Sequence, residues 1–165
     1  MFALINGTPV ALIPKAGTQS IQEFAQEVIT NTETNRYKHA IAFLRNPLTR
    51  LVSCYSFLHN LIVVNKQNTS VNIAAENLSS YSAFIDYMLL NDDEHWIPQV
   101  ELIQHDRETH QTVFYTFENM PETFKKLFSI NLQHINSSQH LEISSYRLDD
   151  ITRYYKGDFE KWLSL

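Results

Sequence analysis

Val10-Ala11-Leu12-Ile13-Pro14-Lys15-Ala16-Gly17-Thr18-Gln19-Ser20 opens on an apolar run and carries a lysine, a glycine and two hydroxyls behind it. Beyond it, Ile21, Phe24, Ala25, Val28 and Ile29 fall at i, i+3, i+4, i+7 and i+8, the spacing of one helical face. The stretch therefore reads as strand, loop and helix, and the chain as α/β. Backbone N–H groups in such a loop, with the start of the following helix, form an anion site to which Lys15 adds a mobile charge. A phosphate-like group suits it. The same residues also suit a plain tight turn, with Gly17 supplying φ > 0 and Lys15 a solvated charge. A G-x-x-x-x-G-K-[ST] loop has its lysine after the second glycine. Here Lys15 precedes Gly17, which disfavours an ordinary ATPase or GTPase loop.

Upstream, Asn6-Gly7 is a strong hairpin signal, so Ala3 to Ile5 is expected to pair antiparallel with Val10 to Ile13 as a small edge strand. Downstream, polar Thr30 to Arg36 reads as a connector, and Ala40-Ile41-Ala42-Phe43-Leu44 as a strand buried on both faces. That strand ends at Arg45. Pro47 suits the first position of a helix capped by Asn46, and Leu48, Leu51, Val52, Tyr55 and Leu58 give it an apolar stripe. Arg45 then stands at the carboxyl end of a parallel strand, where open α/β sheets bind ligands. Ser53, six residues past Pro47, lies about 9 Å further along the helix axis. A guanidinium and a hydroxyl so spaced can grip one phosphate from two sides. The alternative is a capped helix with Arg50 on its wet face.

Asn60 to Asn77 is rich in Asn, Ser, Thr and Val without steady period and reads as an exposed loop. Tyr81, Phe84, Ile85, Met88 and Leu89 restore helical spacing. Asn91-Asp92-Asp93-Glu94-His95-Trp96-Ile97-Pro98-Gln99 follows; its Trp96 can be simple packing and its His95 a surface or hydrogen-bonded histidine. Thr112 to Phe117 is a third strand, and Glu118-Asn119-Met120-Pro121 turns into a helix with Phe124, Leu127 and Phe128 inward. Leu148, Ile151, Tyr155, Phe159 and Trp162 form the apolar face of one closing helix, a stripe that suits core packing.

The chain has 165 residues, enough for one domain over 1–165 that buries about two thirds of its unfolded surface. Its net charge of −5 argues against general attraction to nucleic acid or anionic membrane, so any anion must be held by local basic groups. The single Cys54 excludes an internal disulfide and a cysteine-built zinc cluster. No apolar run approaches the roughly 18 residues of a membrane span, and the N-terminus lacks a signal-peptide core. A soluble, cytoplasmic protein is expected.

Five segments in order resemble the PAPS-dependent sulfotransferases, especially their carbohydrate (Golgi-type) branch. Pro14 to Ser20 resembles the family's 5'-phosphosulfate loop, roughly P-K-[TA]-G-[TS]-[TS]-S, with Gln19 as the clear departure. Arg45-Asn46-Pro47-x-x-Arg50-x-x-Ser53-x-Tyr55 resembles its 3'-phosphate element. His95-Trp96-Ile97-Pro98-Gln99 resembles an H-W-x-P-Q segment on the acceptor side. Leu132 to Ser138 resembles an L-P-H-x-N-x-S segment, with Gln133 for the proline, and Tyr155-Lys156-Gly157-Asp158-Phe159 resembles a Y-x-x-D-F ending. The resemblance implies a P-loop-like three-layer fold with a central, mostly parallel sheet flanked by helices. It further implies 3'-phosphoadenosine 5'-phosphosulfate (PAPS) as sulfuryl donor, no metal, and a hydroxyl or amine acceptor, which resemblance to that branch places on a carbohydrate.

On that footing Lys15, Ala16, Gly17, Thr18, Gln19, Ser20, Arg45, Ser53 and Ser137 bind the nucleotide, and Lys15 offsets charge on the leaving phosphate. Relatives of the heparan type carry a histidine base between the two phosphate elements. That interval offers His39, at the start of the second strand and so at the wrong end of the sheet. His95 is the better base, its imidazole suited to take a hydroxyl proton near neutral pH; Asp92, Asp93 and Glu94 are the alternatives. A competing function is a non-catalytic nucleotide-binding module of the same fold, or a nucleotide kinase, supported by the short chain, Gln19 and the missing histidine.

Overall fold

The computed structural model describes residues 1–30, 32–104, 111–132 and 145–165. Asn6 (φ 47°) and Gly7 (φ 77°) both take left-handed backbone, as a two-residue hairpin turn matched to strand twist requires. They join β1 (Phe2–Ile5) to β2 (Thr8–Ala11), antiparallel, with Ala3 opposite Val10. The expected hairpin is there, but β1 is not the edge. β3 (Glu27–Ile29) pairs with its other side, Ala3 opposite Val28, and the sheet order is β3-β1-β2-β4-β5. β4 (His39–Leu44) runs parallel to β2, and β5 (Gln111–Thr116) parallel to β4. Four strands thus run one way and β1 runs against them.

Val28 and Ile29, expected on the first helix, belong to β3. The helix α1 (Thr18–Gln22) is only five residues long. It ends where Phe24 and Ala25 donate to the carbonyls of Ile21 and Gln22 three residues back, a tightened turn, and Gln26 donates to Leu4. Apolar spacing was met by a turn plus a strand, and the β-branched pair went to the unpaired side of β1.

α2 (Pro47–Leu58) starts as the sequence indicates. Asn46 Oδ1 accepts from the amides of Leu48 (3.0 Å) and Thr49 (3.3 Å), and proline takes the first turn. The helix continues into wider π turns over His59–Val64. The segment from 60 to 77 is not a plain exposed loop: Val71 and Ile73 are buried with Leu78 against α2 and α3 (Tyr81–Met88). These anchors sit on irregular backbone, which is why no period marked them.

Side chains alternate across the sheet with period two. Ala3, Ile5, Val10, Ile41 and Phe43 form one core with Ile21 of α1 and with Met120, Phe124 and Phe128 of α5 (Met120–Phe128). Phe2, Ala11, Ala40, Ala42 and Leu44 form the opposite core with Val100 of α4 (Gln99–Gln104) and Trp162. Helices therefore cover both faces. The expected single closing helix is two, α6 (Leu148–Tyr154) and α7 (Lys156–Leu163), which meet at Tyr155 (φ −95°, ψ 21°). Ile151 and Tyr155 pack with α2 and α3, whereas Trp162 packs on the sheet; one stripe serving two cores needs the bend. Among the described residues no helix is long and apolar enough to cross a membrane.

Candidate active site

The loop between β2 and α1 turns on two left-handed residues, Lys15 (φ 64°) and Gly17 (φ 83°). A Cβ on Gly17 would lie 2.6 Å from Met120 Cε and 3.1 Å from Phe117 Cε2, so both backbone and space call for glycine. The Ile13 carbonyl ties the loop down, accepting from the Ala16 amide (3.0 Å) and the Thr18 hydroxyl (2.7 Å). Those two donors serve the loop itself. Ala16 and Ser20 are buried, and the Gln19 residue is exposed.

The Lys15 ammonium lies 3.7 Å from the centroid of the Phe57 ring. Burial pushes its pKa below the ordinary lysine value, and the nearby Arg45 charge adds to the fall against an opposing effect of Cys54. Arg45 Nη1 donates to the Lys15 carbonyl (3.0 Å), joining the ends of neighbouring parallel strands, and its Nε donates to Thr49 Oγ1 (3.3 Å). Its guanidinium carbon is 5.1 Å from the Phe117 ring centroid. Burial lowers the Arg45 pKa too, with Glu118 opposing, yet a guanidinium stays charged. Among the described residues no carboxylate is within ion-pair distance of Lys15 or Arg45. Ser53 is buried on α2, one turn beyond Thr49. Ser137 lies outside the described residues.

Three side chains that the sequence reading quoted in motifs but gave no role in the site hold this arrangement. Arg50 is not on a wet face but 1% exposed. Its guanidinium donates to the carbonyls of Pro14 (3.0 Å), Ile97 (2.9 Å) and Glu94 (3.2 Å), so it bolts the lysine loop to the His95 segment. Its spacing from Pro47 and Cys54, three and four residues away and both buried, was the available signal. Gln99, fully buried, grips the Arg45 backbone at both groups: Oε1 accepts from its N–H (3.0 Å) and Nε2 donates to its carbonyl (2.8 Å). Asp158, also fully buried, caps α4 by accepting from the amides of Gln99 (2.8 Å) and Val100 (2.9 Å), and takes Gln99 Nε2 at 3.2 Å.

His95 stands in the turn before α4. Asp93 Oδ1 lies 2.7 Å from its Nδ1 and accepts its backbone N–H at 3.0 Å. With the proton on Nδ1, Nε2 presents a lone pair, the arrangement of a carboxylate-oriented general base. The imidazole stacks on Phe57, centroids 6.4 Å apart and planes 11° from parallel. Of the alternative bases, Asp93 is engaged with His95, Asp92 accepts from the Tyr154 hydroxyl (3.0 Å), and Glu94 is exposed. Trp96 is core: 1% exposed, edge-on to Phe84 and Tyr87, its Nε1 donating to the Asn91 carbonyl (2.6 Å). His39 begins β4, at the far end of the sheet from Arg45. Among the described residues no three His, Cys, Asp or Glu gather as a metal site.

Compared with known proteins, residues 11–161 match the family model described as Sulfotransferase family. Comparisons with curated proteins and with solved structures return no significant match. The matched span takes in the Lys15 loop, the Arg45 strand end, the His95 turn and Asp158, and the chain belongs to the sulfotransferase family.

Proposed function

We propose that the chain is a PAPS-dependent sulfotransferase acting on a hydroxyl, or an amine, of a carbohydrate acceptor, on a P-loop-like three-layer fold. The observation that carries this reading is the bond from Arg45 to the Lys15 carbonyl. It brings two cations without a paired carboxylate among the described residues to the carboxyl ends of adjacent parallel strands. Such a pair suits a ligand with two separate anionic groups, as a 3',5'-bisphosphorylated nucleotide has. The donor supplies an activated sulfuryl group when bound. Lys15 is the residue that offsets charge developing on the leaving phosphate. Arg45, with Ser53 and Ser137, recognises the 3'-phosphate, and Gly17 to Ser20 let the backbone approach the 5' side. His95 Nε2 takes the acceptor proton, with Asp93 holding the imidazole. The carbohydrate acceptor rests on the resemblance of the His95 to Gln99 segment.

Isothermal titration tests this. 3'-Phosphoadenosine 5'-phosphate is expected to bind at micromolar concentration and adenosine 5'-phosphate about 10- to 100-fold more weakly, the worth of one charge-assisted contact. Arg45→Ala should erase the difference. Equal affinity of the wild type for both nucleotides refutes the proposal. Transfer of labelled sulfate into a glycan panel then separates an enzyme from a module that binds and never turns over.

A further inference from the structure

Phe57 is 37% exposed on the last turn of α2, although Arg50 to Cys54 of the same helix are all buried. With more than a third of its surface open to water, this side chain is held only in part by burial. Its ring is also engaged by two polar groups. The Lys15 ammonium is 3.7 Å from the centroid, well inside the roughly 6 Å reach of a cation–π attraction. The His95 imidazole is stacked on the same ring at 6.4 Å. One ring thus joins the loop after β2, the end of α2 and the turn before α4.

We propose that Phe57 is a positioning residue of the transfer site, holding the Lys15 ammonium and the His95 imidazole in register through one ring before any ligand arrives. This rests on the reading of Lys15 and His95 as the transfer pair. Asp93 already orients the imidazole at Nδ1, so stacking fixes the plane in which Nε2 is presented. Among the described residues no carboxylate lies within ion-pair distance of Lys15, and the ring face is what offsets the partial burial of its charge. The choice of an aromatic partner has a chemical logic. A carboxylate would hold the ammonium against an incoming anion, and an aliphatic side chain would not hold it at all. A ring quadrupole attracts a cation enough to place it, yet yields to the stronger charge-assisted bond of a phosphate or sulfate oxygen.

The test compares Phe57→Leu, Phe57→Trp and a protein with trifluorophenylalanine at position 57, which keeps the ring's shape while draining its negative face. In the ligand-free protein, the Lys15 side-chain signal in a carbon–proton NMR spectrum, assigned through Lys15→Arg, reports the ring directly. It is expected upfield in the wild type and in Phe57→Trp, and at the solvent position in Phe57→Leu. Turnover is expected to fall about 10-fold in Phe57→Leu and about 5-fold with the fluorinated ring, and to stay within about twofold in Phe57→Trp, the range set by losing a contact of this class. The dissociation constant for 3'-phosphoadenosine 5'-phosphate should change less than turnover. An identical Lys15 signal in wild type and Phe57→Leu overturns the proposal, and so does a fluorinated ring as active as the natural one. A wild type that neither binds the nucleotide nor transfers sulfate overturns the sulfotransferase reading instead, while the ligand-free lysine signal still decides whether the ring holds Lys15.

Discussion

Replacing Arg50 by methionine removes a buried cation while keeping much of its stem. Three charge-assisted bonds, at 3.0, 2.9 and 3.2 Å, are lost together, and the carbonyls of Pro14, Ile97 and Glu94 lose that donor. A hydrogen bond to a charged group contributes about 1.5 to 3 kcal/mol, but three bonds from one guanidinium do not add. Each buried carbonyl left without a donor costs about 1 to 3 kcal/mol, so the three together, short of full additivity, cost about 3 to 5 kcal/mol. Against a total stability of about 5 to 15 kcal/mol this is a large share. With a urea slope of about 2 kcal/mol per M, the midpoint of Arg50→Met should fall by about 2 M. Arg50→Lys, whose donors radiate from one atom, should recover only part of that. Hydrogen exchange gives the location: the Ala16 and Ile97 amides, which bond to Ile13 and Asp93, should lose protection before the strands do. A midpoint within about 0.5 M of wild type would show that the three carbonyls are served without the guanidinium, and that Arg50 does not join the two segments.

Gly17→Ala combines left-handed backbone at φ 83° with a methyl 2.6 Å from Met120 Cε; the backbone alone costs about 1 to 2 kcal/mol, so calorimetry should show the thermal midpoint falling by about 5 °C. An unchanged midpoint would refute the need for glycine. The lowered Lys15 pKa also has a sign. Between its folded value and the ordinary 10.5 the unfolded chain holds the proton and the folded one does not, so stability rises with pH across that window. On the proposed role of Lys15 turnover needs the ammonium, so the alkaline limb of a pH–rate profile should fall below pH 10.5 and move upward in Lys15→Arg.

What was legible in the sequence was local. Asn46 caps amides two and three residues away, and Asn6-Gly7 makes its turn alone, so α2 and the hairpin could be read from a few neighbouring letters. The Lys15 loop and Arg45 were readable because both follow a strand directly. β3 was not, because its partner is more than twenty residues upstream and its two apolar residues also fit a helical stripe. The buried role of Arg50 was hidden for the same physical reason. Its three acceptors lie 36, 44 and 47 positions away, and only assembled backbone makes a buried guanidinium cheaper than a solvated one. Phe57 carries no sequence signal at all, since its partners meet only when three elements converge.

The closing helices show why such distant residues matter to a site at the strand ends. β4 is flanked by β2 and β5, but at Arg45 the ladder stops, and backbone groups there need other partners. Gln99 supplies them as a strand neighbour would, with one donor and one acceptor from a single amide. That amide is in turn fixed by Asp158, 59 positions on, whose carboxylate also caps α4. The Tyr155 hydroxyl, donating to the Trp96 carbonyl, anchors the same turn from the same helix pair. Buried polar groups satisfied in this way stiffen the backbone without fixing what it presents. Arg45 therefore has a main chain held at both its N–H and its carbonyl, while its guanidinium rests over the Phe117 ring and donates to a loop carbonyl and a hydroxyl, bonds that an anion can displace. A rigid backbone behind an exchangeable side chain is what a site needs if it is to bind and release a charged ligand repeatedly.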